Sequence, residues 1–321
     1  MKAITFPRYG SPDVLQLEEV AVPDVADDAV LVRVRAASVN ATDWHSMRGK
    51  PIPVRIGDGL RRPKLGRLGV DVAGLVEAVG STVTHLRGGD EVFGARNGAF
   101  AELVSGRNFI HKPANLSFGE AATLPVAATT ALQGLRDKGG LQSGQRVLIT
   151  GASGGVGTFA VQIAKAFGAH VTAVCSTGNL EMVRSIGADA AIDYTRNDFT
   201  RSSERYDLVL DIAGSHPLTA TRRLLATHGT LVVVGGRGSG WIAPTDRLLA
   251  ALVMSKLGRQ RITPFLAQLT RDDLVVLKEL AESGKLRPVI DRTYLLSEIA
   301  DAIRYFETMR ARGKVVITVA R

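Results

Sequence analysis

Up to about residue 122 the apolar positions come in short runs broken by glycine and polar turns. Residues 1–6, 14–20, 29–35, 70–79, 91–93 and 99–104 each read as a strand. The run 29–35, Ala-Val-Leu-Val-Arg-Val-Arg, alternates near its end as a half-buried strand does. Gly74 interrupts the run 70–79, Gly80-Ser81 ends it, and Gly88-Gly89-Asp90 turns the chain before residue 91. Short strands at close spacing predict a small barrel or sandwich.

Beyond Ser117 the period changes. Residues 118–135 read as helix with a kink or break at Pro125. From Arg146 strand and helix alternate: strand 147–150, helix 156–167, strand 170–175, helix 179–186, then strands at 190–192, 208–213 and 230–234. On the first of these helices Phe159, Ala160, Ile163, Ala164 and Phe167 share one side. Such alternation predicts a parallel sheet with helices on both faces, an α/β fold. A helix at 272–283, an extended stretch at 287–294, a helix at 297–309 and a strand at 314–319 close the chain. This tail is expected to return to the first domain.

The segment from Val147 to Gly157 runs strand, glycine-rich turn, helix. Its spacing resembles GxGxxG, with Ala152 in the first glycine place, then Gly154 and Gly157. Small residues are needed because the turn is tight, the backbone must approach a pyrophosphate, and the helix must pack on the strand. The helix N-terminus then offers free N–H groups and the positive end of a dipole. An NAD enzyme usually holds Asp or Glu at the end of the second strand for the ribose hydroxyls. Here Cys175, Ser176 and Thr177 stand there, and no carboxylate follows until Glu181. Hydroxyls can donate to a 2′-phosphate that a carboxylate would repel, so NADPH is favoured. Tyr194 is a candidate wall for the adenine or donor to the phosphate.

Composition narrows the class. The 321 residues exceed one small domain, and 45% are hydrophobic against 22% charged. No apolar run reaches the roughly 18–20 residues of a membrane helix, and the first residues lack the apolar core of a signal peptide. The single cysteine, Cys175, excludes an intramolecular disulfide, and a cytoplasmic setting is expected. The net charge of +9 raises the question of nucleic acid. The densest basic stretch, residues 48–67, holds Arg48, Lys50, Arg55, Arg61, Arg62, Lys64 and Arg67 without interleaved aromatics or a recognition motif. It reads as a solvated loop, or as one that draws an anionic cofactor or substrate toward a cleft.

The motifs taken in order resemble the medium-chain dehydrogenase/reductase superfamily over nearly the whole chain. Those carrying the likeness are Val39–Trp44, Gly69–Gly74, Gly89–Gly94, Leu124–Ala131, Gly151–Gly157, Val174–Ser176 and Arg312–Val316. Within it the chain looks like the zinc-independent quinone oxidoreductase branch, among proteins related to reticulon-4-interacting protein 1. The likeness implies a GroES-like catalytic domain at 1–122, completed by 288–321, a Rossmann NADP-binding domain at 123–287, and a cleft between them. It implies NADPH contacts along Ser153, Gly154, Gly155, Val156 and Gly157, and at Ser176 and Tyr194. Thr130 is expected beside the nicotinamide, with backbone contacts near Gly235 and Gly236. Relatives often carry Lys or Arg two residues after the serine matching Ser176; this chain has Gly178 there, which weakens the phosphate grip unless Arg184 or Arg196 compensates. A homodimer is expected by likeness alone.

Zinc-dependent relatives hold a catalytic metal with Cys and His. Asn40 stands in the place of the first Cys, and Val70, followed by Asp71, in the place of the His. The six histidines are scattered without metal-ligand spacing. Without a Lewis acid, alcohol oxidation is harder to support than reduction of a quinone or α,β-unsaturated carbonyl, which delocalises the incoming charge itself. Asn40 is the candidate catalytic residue, as a donor to substrate oxygen or nicotinamide ribose; its other reading is a turn-stabilising amide. Trp44 reads as a pocket wall or a packed core aromatic, and His45 as a proton source in competition with solvent. The expectation is an NADPH-dependent quinone or enone reductase acting on a small molecule. Two alternatives stay open: a nucleotide-binding interaction protein with little turnover, and an alcohol dehydrogenase or carbonyl reductase.

Overall fold

The computed structural model describes residues 1–235, 245–255 and 259–319. They form two compact units. The first comprises Met1–Thr129, Leu269–Gly284 and Pro288–Arg321, and the second Thr130–Gln268 and Lys285–Arg287. This division differs from a cut at residue 122: the helix Pro125–Gln133 carries the unit boundary, and the helix Arg271–Glu282 belongs with the first unit.

The first unit is built on one seven-stranded sheet. In order it runs Ile290–Leu295, Lys314–Thr318, Val30–Ser38, Asp71–Val79, Glu91–Ala95 and Phe109–His111, with Leu103–Gly106 paired on Val30–Ser38. The last strand therefore does return: Val316 pairs antiparallel with Ser38, which in turn pairs with Asp71. Residues over 240 positions apart in the chain thus lie on adjacent strands. Lys2–Thr5 and Gln16–Glu19 form a separate two-stranded ribbon. Phe6, Val32, Val92, Phe100, Phe109, Ile303 and Ile317 are among the side chains of its core.

Two short helices, Ala41–Arg48 and Ile52–Asp58, lie where the apolar pattern signals nothing. The first starts because Asp43 Oδ2 accepts the Asn40 N–H at 2.8 Å, and it stops at Gly49, whose φ of 59° suits glycine. Near residue 118 the helix ends at Ala121, capped at its start by Ser117 and Glu120, and a new one opens at Pro125. Proline fits a first helical position because its missing N–H would have had no partner there.

Among the described residues the second unit holds six parallel strands: Arg146–Thr150, His170–Cys175, Ala190–Asp193, Tyr206–Asp211, Leu225–Val233 and Arg261–Pro264. Numbered in that sequence, their order across the sheet is third, second, first, fourth, fifth, sixth. This is the doubly wound order, and it reverses direction between the first and fourth strands, where such sheets bind ligands at their carboxyl ends. The helix Gly155–Ala166 buries Phe159, Ala160, Ile163 and Ala164, as its pattern predicts.

Candidate functional site

At the carboxyl end of the first parallel strand, Gly151 turns the chain with a φ of 67°. The left-handed residue is thus Gly151, one before the alanine that fills the first place of the glycine pattern. Gly154 caps the helix Gly155–Ala166 with no side-chain hydrogen bond, and as first-turn amides those of Gly155, Val156 and Gly157 have no partner within the helix. A Cβ on Gly157 would lie 2.1 Å from Gly151 O and 2.6 Å from Ala152 Cα, so no side chain fits. A Cβ on Gly154 would meet only Gly151 O, at 3.5 Å, so that glycine is not demanded by packing.

The second parallel strand ends at Cys175, and Ser176 follows. Asn179 Nδ2 donates to Ser176 Oγ at 3.0 Å and to Ser153 Oγ at 3.2 Å. One amide thereby joins the glycine turn to the end of the second strand, two predicted contact points that lie 23 residues apart in the chain. Sequence reasoning missed Asn179 as a functional residue, because it lies inside an expected helix; it sits instead in a 3-10 turn, Thr177–Asn179. Asn179 Oδ1 is buried with no partner among the described residues. An unanswered acceptor beside two serines suits a hydroxyl-bearing ligand such as a ribose.

Tyr194 is 46% exposed and donates its N–H to Cys175 O, the residue before Ser176. Its neighbour Asp193 brings a carboxylate that the reading of the second strand did not include. That carboxylate accepts from Thr177 Oγ1, Thr195 N and Thr195 Oγ1, and these donors hold its pKa below the usual range. Arg196 Nε lies 3.6 Å from it. The Cys175 thiol is pushed up to about 11, first by burial and then by Asp193, against Arg184. It is a buried strand residue in its neutral form.

At the switch between the first and fourth strands, buried Asp211 accepts from Thr150 Oγ1 at 2.7 Å and from Gly214 N at 3.1 Å, and pairs with Arg247. Gly235 follows the fifth strand, and a Cβ there would lie 2.8 Å from Ile212 O. Gly236 lies outside the described residues. Thr130 is buried in the helix Pro125–Gln133.

In the first unit, Asn40 and Asp71 do come together. Asn40 Nδ2 donates to Asp71 Oδ2 at 2.8 Å and to Ser38 O at 3.3 Å, while Asn40 Oδ1 accepts from Lys314 Nζ at 2.6 Å. Both ends of the amide are therefore engaged. The role expected of Asn40 as a donor to substrate is not available in this arrangement, and its place is that of a structural amide. As a helix cap its Oδ1 would ordinarily accept an amide of the first turn; it turns to the ammonium instead.

Lys314 is 3% exposed and Asp71 fully buried. Lys314 Nζ also donates to Val39 O at 3.1 Å and lies 3.4 Å from Asp71 Oδ2. Asp71 further accepts from Ser38 Oγ at 2.6 Å and Val126 N at 2.9 Å. Burial pulls the Lys314 pKa down, and Asp71 and Asp43 pull it back up. Burial likewise pushes the Asp43 carboxyl up to about 7, although the Asn40 amide donates to it, as does that of Gly69 at 3.0 Å. Lys314 was visible in the sequence only as part of a resembling motif.

The side residues resolve plainly. Trp44 is packed in the core, the second of its two readings, and donates from Nε1 to Glu307 Oε1 at 2.7 Å. His45 Nδ1 faces Lys50 O at 2.8 Å, which requires the proton on Nδ1, and burial lowers its pKa, so the ring is neutral at neutral pH. Among the described residues no group of three or more His, Cys, Asp and Glu side chains is placed to hold a metal ion.

Two family models match the chain. Residues 26–134 match the alcohol dehydrogenase GroES-like domain, and residues 186–317 match a family described as zinc-binding dehydrogenase. The chain is 38% identical to a 2-methylene-furan-3-one reductase of Solanum lycopersicum, over 99% of this chain and 79% of that protein. It is 36% identical to the mitochondrial NAD(P)H oxidoreductase RTN4IP1 of Bos taurus, over 99% of this chain and 89% of the relative. Among solved structures, the quinone oxidoreductase of Coxiella burnetii superposes with a TM-score of 0.89 at 32% identity, covering 100% of this chain and 99% of the other. The chain belongs to the medium-chain dehydrogenase/reductase superfamily, with a GroES-like unit and a Rossmann unit.

Proposed function

We propose that this chain is an NADPH-dependent oxidoreductase that reduces a quinone or an α,β-unsaturated carbonyl without a catalytic metal. The observation that carries the metal-free part is Lys314, buried with its Nζ against Asn40, which stands in the place of a metal-binding Cys, and against Asp71, the residue after Val70 in the place of the His. A dication there would meet the Lys314 side chain and neither thiolate nor imidazole. The family description naming zinc rests on residues 186–317, which contain no cysteine and only His216 and His228.

The nucleotide reading rests on the second unit. The first-turn amides of Gly155, Val156 and Gly157 suit a pyrophosphate, Ser153 and Asn179 a ribose, and Ser176 with Tyr194 the adenosine end. The hydroxyl of Ser176 in the usual carboxylate's place favours a 2′-phosphate. Asp193 is the opposing charge, drawn off by Thr177, Thr195 and Arg196. When bound, the dihydronicotinamide supplies a hydride to the acceptor carbon.

The chain's own residues then have little covalent work. They orient the acceptor and exclude water. A quinone or enone spreads the arriving charge over its own oxygen, so no Lewis acid is required. His45 holds its Nδ1 proton to Lys50 O and Asn40 Nδ2 donates to Asp71 and Ser38 O, and solvent is the proposed source of the proton that completes the reduction. The names of the relatives, a furanone reductase and quinone and NAD(P)H oxidoreductases, support this acceptor class. No described helix is long and apolar enough to cross a membrane; a cytoplasmic homodimer is the proposed working form.

The test is oxidation of NADPH by purified, metal-analysed protein offered a quinone, an enone and a saturated aldehyde in parallel. Faster oxidation with the first two, unchanged by a chelator, is the expected result. Stoichiometric zinc with activity lost to chelator would overturn the metal-free reading, and tight NADPH binding without turnover would favour an interaction protein.

A further inference from the structure

The segment from Ile52 to Arg67 takes no part in the nucleotide turn or the buried polar network. It is nonetheless fastened to its own unit. Tyr9 Oη donates to Gly59 O at 2.6 Å, and the Arg55 guanidinium stacks over the Tyr9 ring at 4.5 Å. At the far end Phe6 N donates to Gly66 O at 2.9 Å. A segment held at both ends presents a defined surface.

That surface is unusual in what it leaves in water. Ile56 and Leu60 are each 67% exposed, Leu65 is 52% exposed and Ile52 is 43% exposed. Ile52 and Ile56 stand one helical turn apart and so share a face. Interleaved with these aliphatic side chains are Arg61, Arg62, Lys64 and Arg67. None of the four makes an ion pair among the described residues, whereas Arg48, earlier in the basic stretch, is taken by Glu307. Arg62, Lys64, Leu65 and Arg67 line one open cleft with Thr5 and Glu18. Glu18 is the single acid there, and its Oε2 accepts from Thr5 Oγ1 at 2.8 Å.

Exposed aliphatic groups beside unpaired cations match one kind of partner better than the others. Nucleic acid would answer the charges and leave the leucines and isoleucines in water. A protein partner is ordinarily met with Tyr, Trp or Phe at the centre, and residues 52–67 contain no aromatic. A bilayer rich in anionic lipid answers both: its phosphates meet the cations, and its boundary with the acyl chains takes the aliphatic tips.

We propose that Ile52–Arg67 is a peripheral docking surface for an anionic lipid bilayer, with Ile56, Leu60 and Leu65 entering the headgroup boundary and Arg61, Arg62, Lys64 and Arg67 facing lipid phosphates. The cleft between Arg62, Lys64 and Arg67 then receives a headgroup. Each cation contributes about a fivefold gain in partitioning, and the gain falls as salt screens it. The inference is independent of which acceptor the enzyme reduces, and its test does not use turnover.

The experiment is co-sedimentation of the full chain with vesicles of phosphatidylcholine and phosphatidylglycerol in equal parts, against phosphatidylcholine alone. Binding to the anionic vesicles, weakened by salt, is expected. The double variant Ile56→Ser/Leu60→Ser should lower partitioning by about tenfold or more, and Arg61→Glu/Arg62→Glu should abolish the preference for anionic lipid. All four side chains are exposed, so both variants should keep the wild-type melting temperature and NADPH affinity. Equal sedimentation with both vesicles, or binding retained in both variants, would overturn the proposal. So would competition by inorganic phosphate with the Ile56/Leu60 variant unaffected, which would mean a small-anion site. Capture by polyglutamate in place of vesicles would point to an acidic protein partner and also overturn it.

Discussion

The glycine turn of the Rossmann unit and the buried polar network of the GroES-like unit are built on opposite principles. The turn works by removing side chains: Gly157 has no room for a Cβ, and the helix behind it presents bare amides. Its parts lie within a single strand–turn–helix. The network works by burying charged side chains and answering nearly every polar atom with another. Its parts are residues 38, 71 and 314 on adjacent strands and residues 40 and 43 at the start of the helix Ala41–Arg48. A local device tolerates change in its neighbours, whereas a long-range one fails as a whole when one member is lost.

The sharpest break of that contrast is Lys314→Met. It leaves the Asp71 carboxylate buried without its ammonium, and should cost about 3–5 kcal/mol of stability in denaturant unfolding. Lys314→Met/Asp71→Asn should cost less than the two single changes added together. Additive losses would mean that the pair is not coupled.

Gly157→Ala comes next. Its methyl would strike the Gly151 carbonyl, with an expected loss of about 1–3 kcal/mol and of NADPH binding. Gly154→Ala has room, so its melting temperature should stay near wild type. If binding of NADPH survived Gly157→Ala, the turn would not be the pyrophosphate site.

Asp43→Asn probes the network through pH. The folded carboxyl titrates near 7 against an ordinary 3.8, so the protonated form is the one that favours the fold. That contribution is complete below the ordinary value and is lost as pH rises through about 7. The wild-type melting temperature should therefore fall more between about pH 5 and about pH 8 than that of Asp43→Asn. The variant itself should start about 1–3 kcal/mol lower, because an amide NH₂ would face one of two N–H donors. Parallel pH profiles would remove Asp43 as the source.

The smallest effect belongs to Ser176→Asp. A carboxylate beside the 2′-phosphate should weaken NADPH about tenfold more than NADH, or about 1.4 kcal/mol. Equal losses would place Ser176 away from that phosphate.

What could be read from the chain follows the same division. Strand, turn and helix around Gly151–Gly157 were legible because each signal is local: apolar run, small residues, amphipathic face. The helices Ala41–Arg48 and Ile52–Asp58 were not, since neither has an apolar stripe and one begins on an Asp43 whose carboxylate is also fixed by Gly69. Asn179 was hidden because its role depends on two serines meeting in space. Asp193 was hidden because a parallel pairing, Asp193 against Cys175, carries it to the end of a different strand.

The sequence by itself determined the two-part α/β architecture, the nucleotide turn with a hydroxyl where a carboxylate is usual, and the want of thiolate and imidazole at the metal places. The first two follow from residue type, period and spacing, which need no knowledge of distant neighbours; the metal places are those that the likeness to zinc-dependent relatives implies. Only the tertiary structure decided what Asn40 does. An amide at the start of a helix has two uses, as a donor outward or as a structural link, and the choice was made by a lysine that reaches it only after the strand Lys314–Thr318 pairs with Ala36, Ala37 and Ser38. A buried ammonium must find acceptors, and that requirement fixed the amide in place.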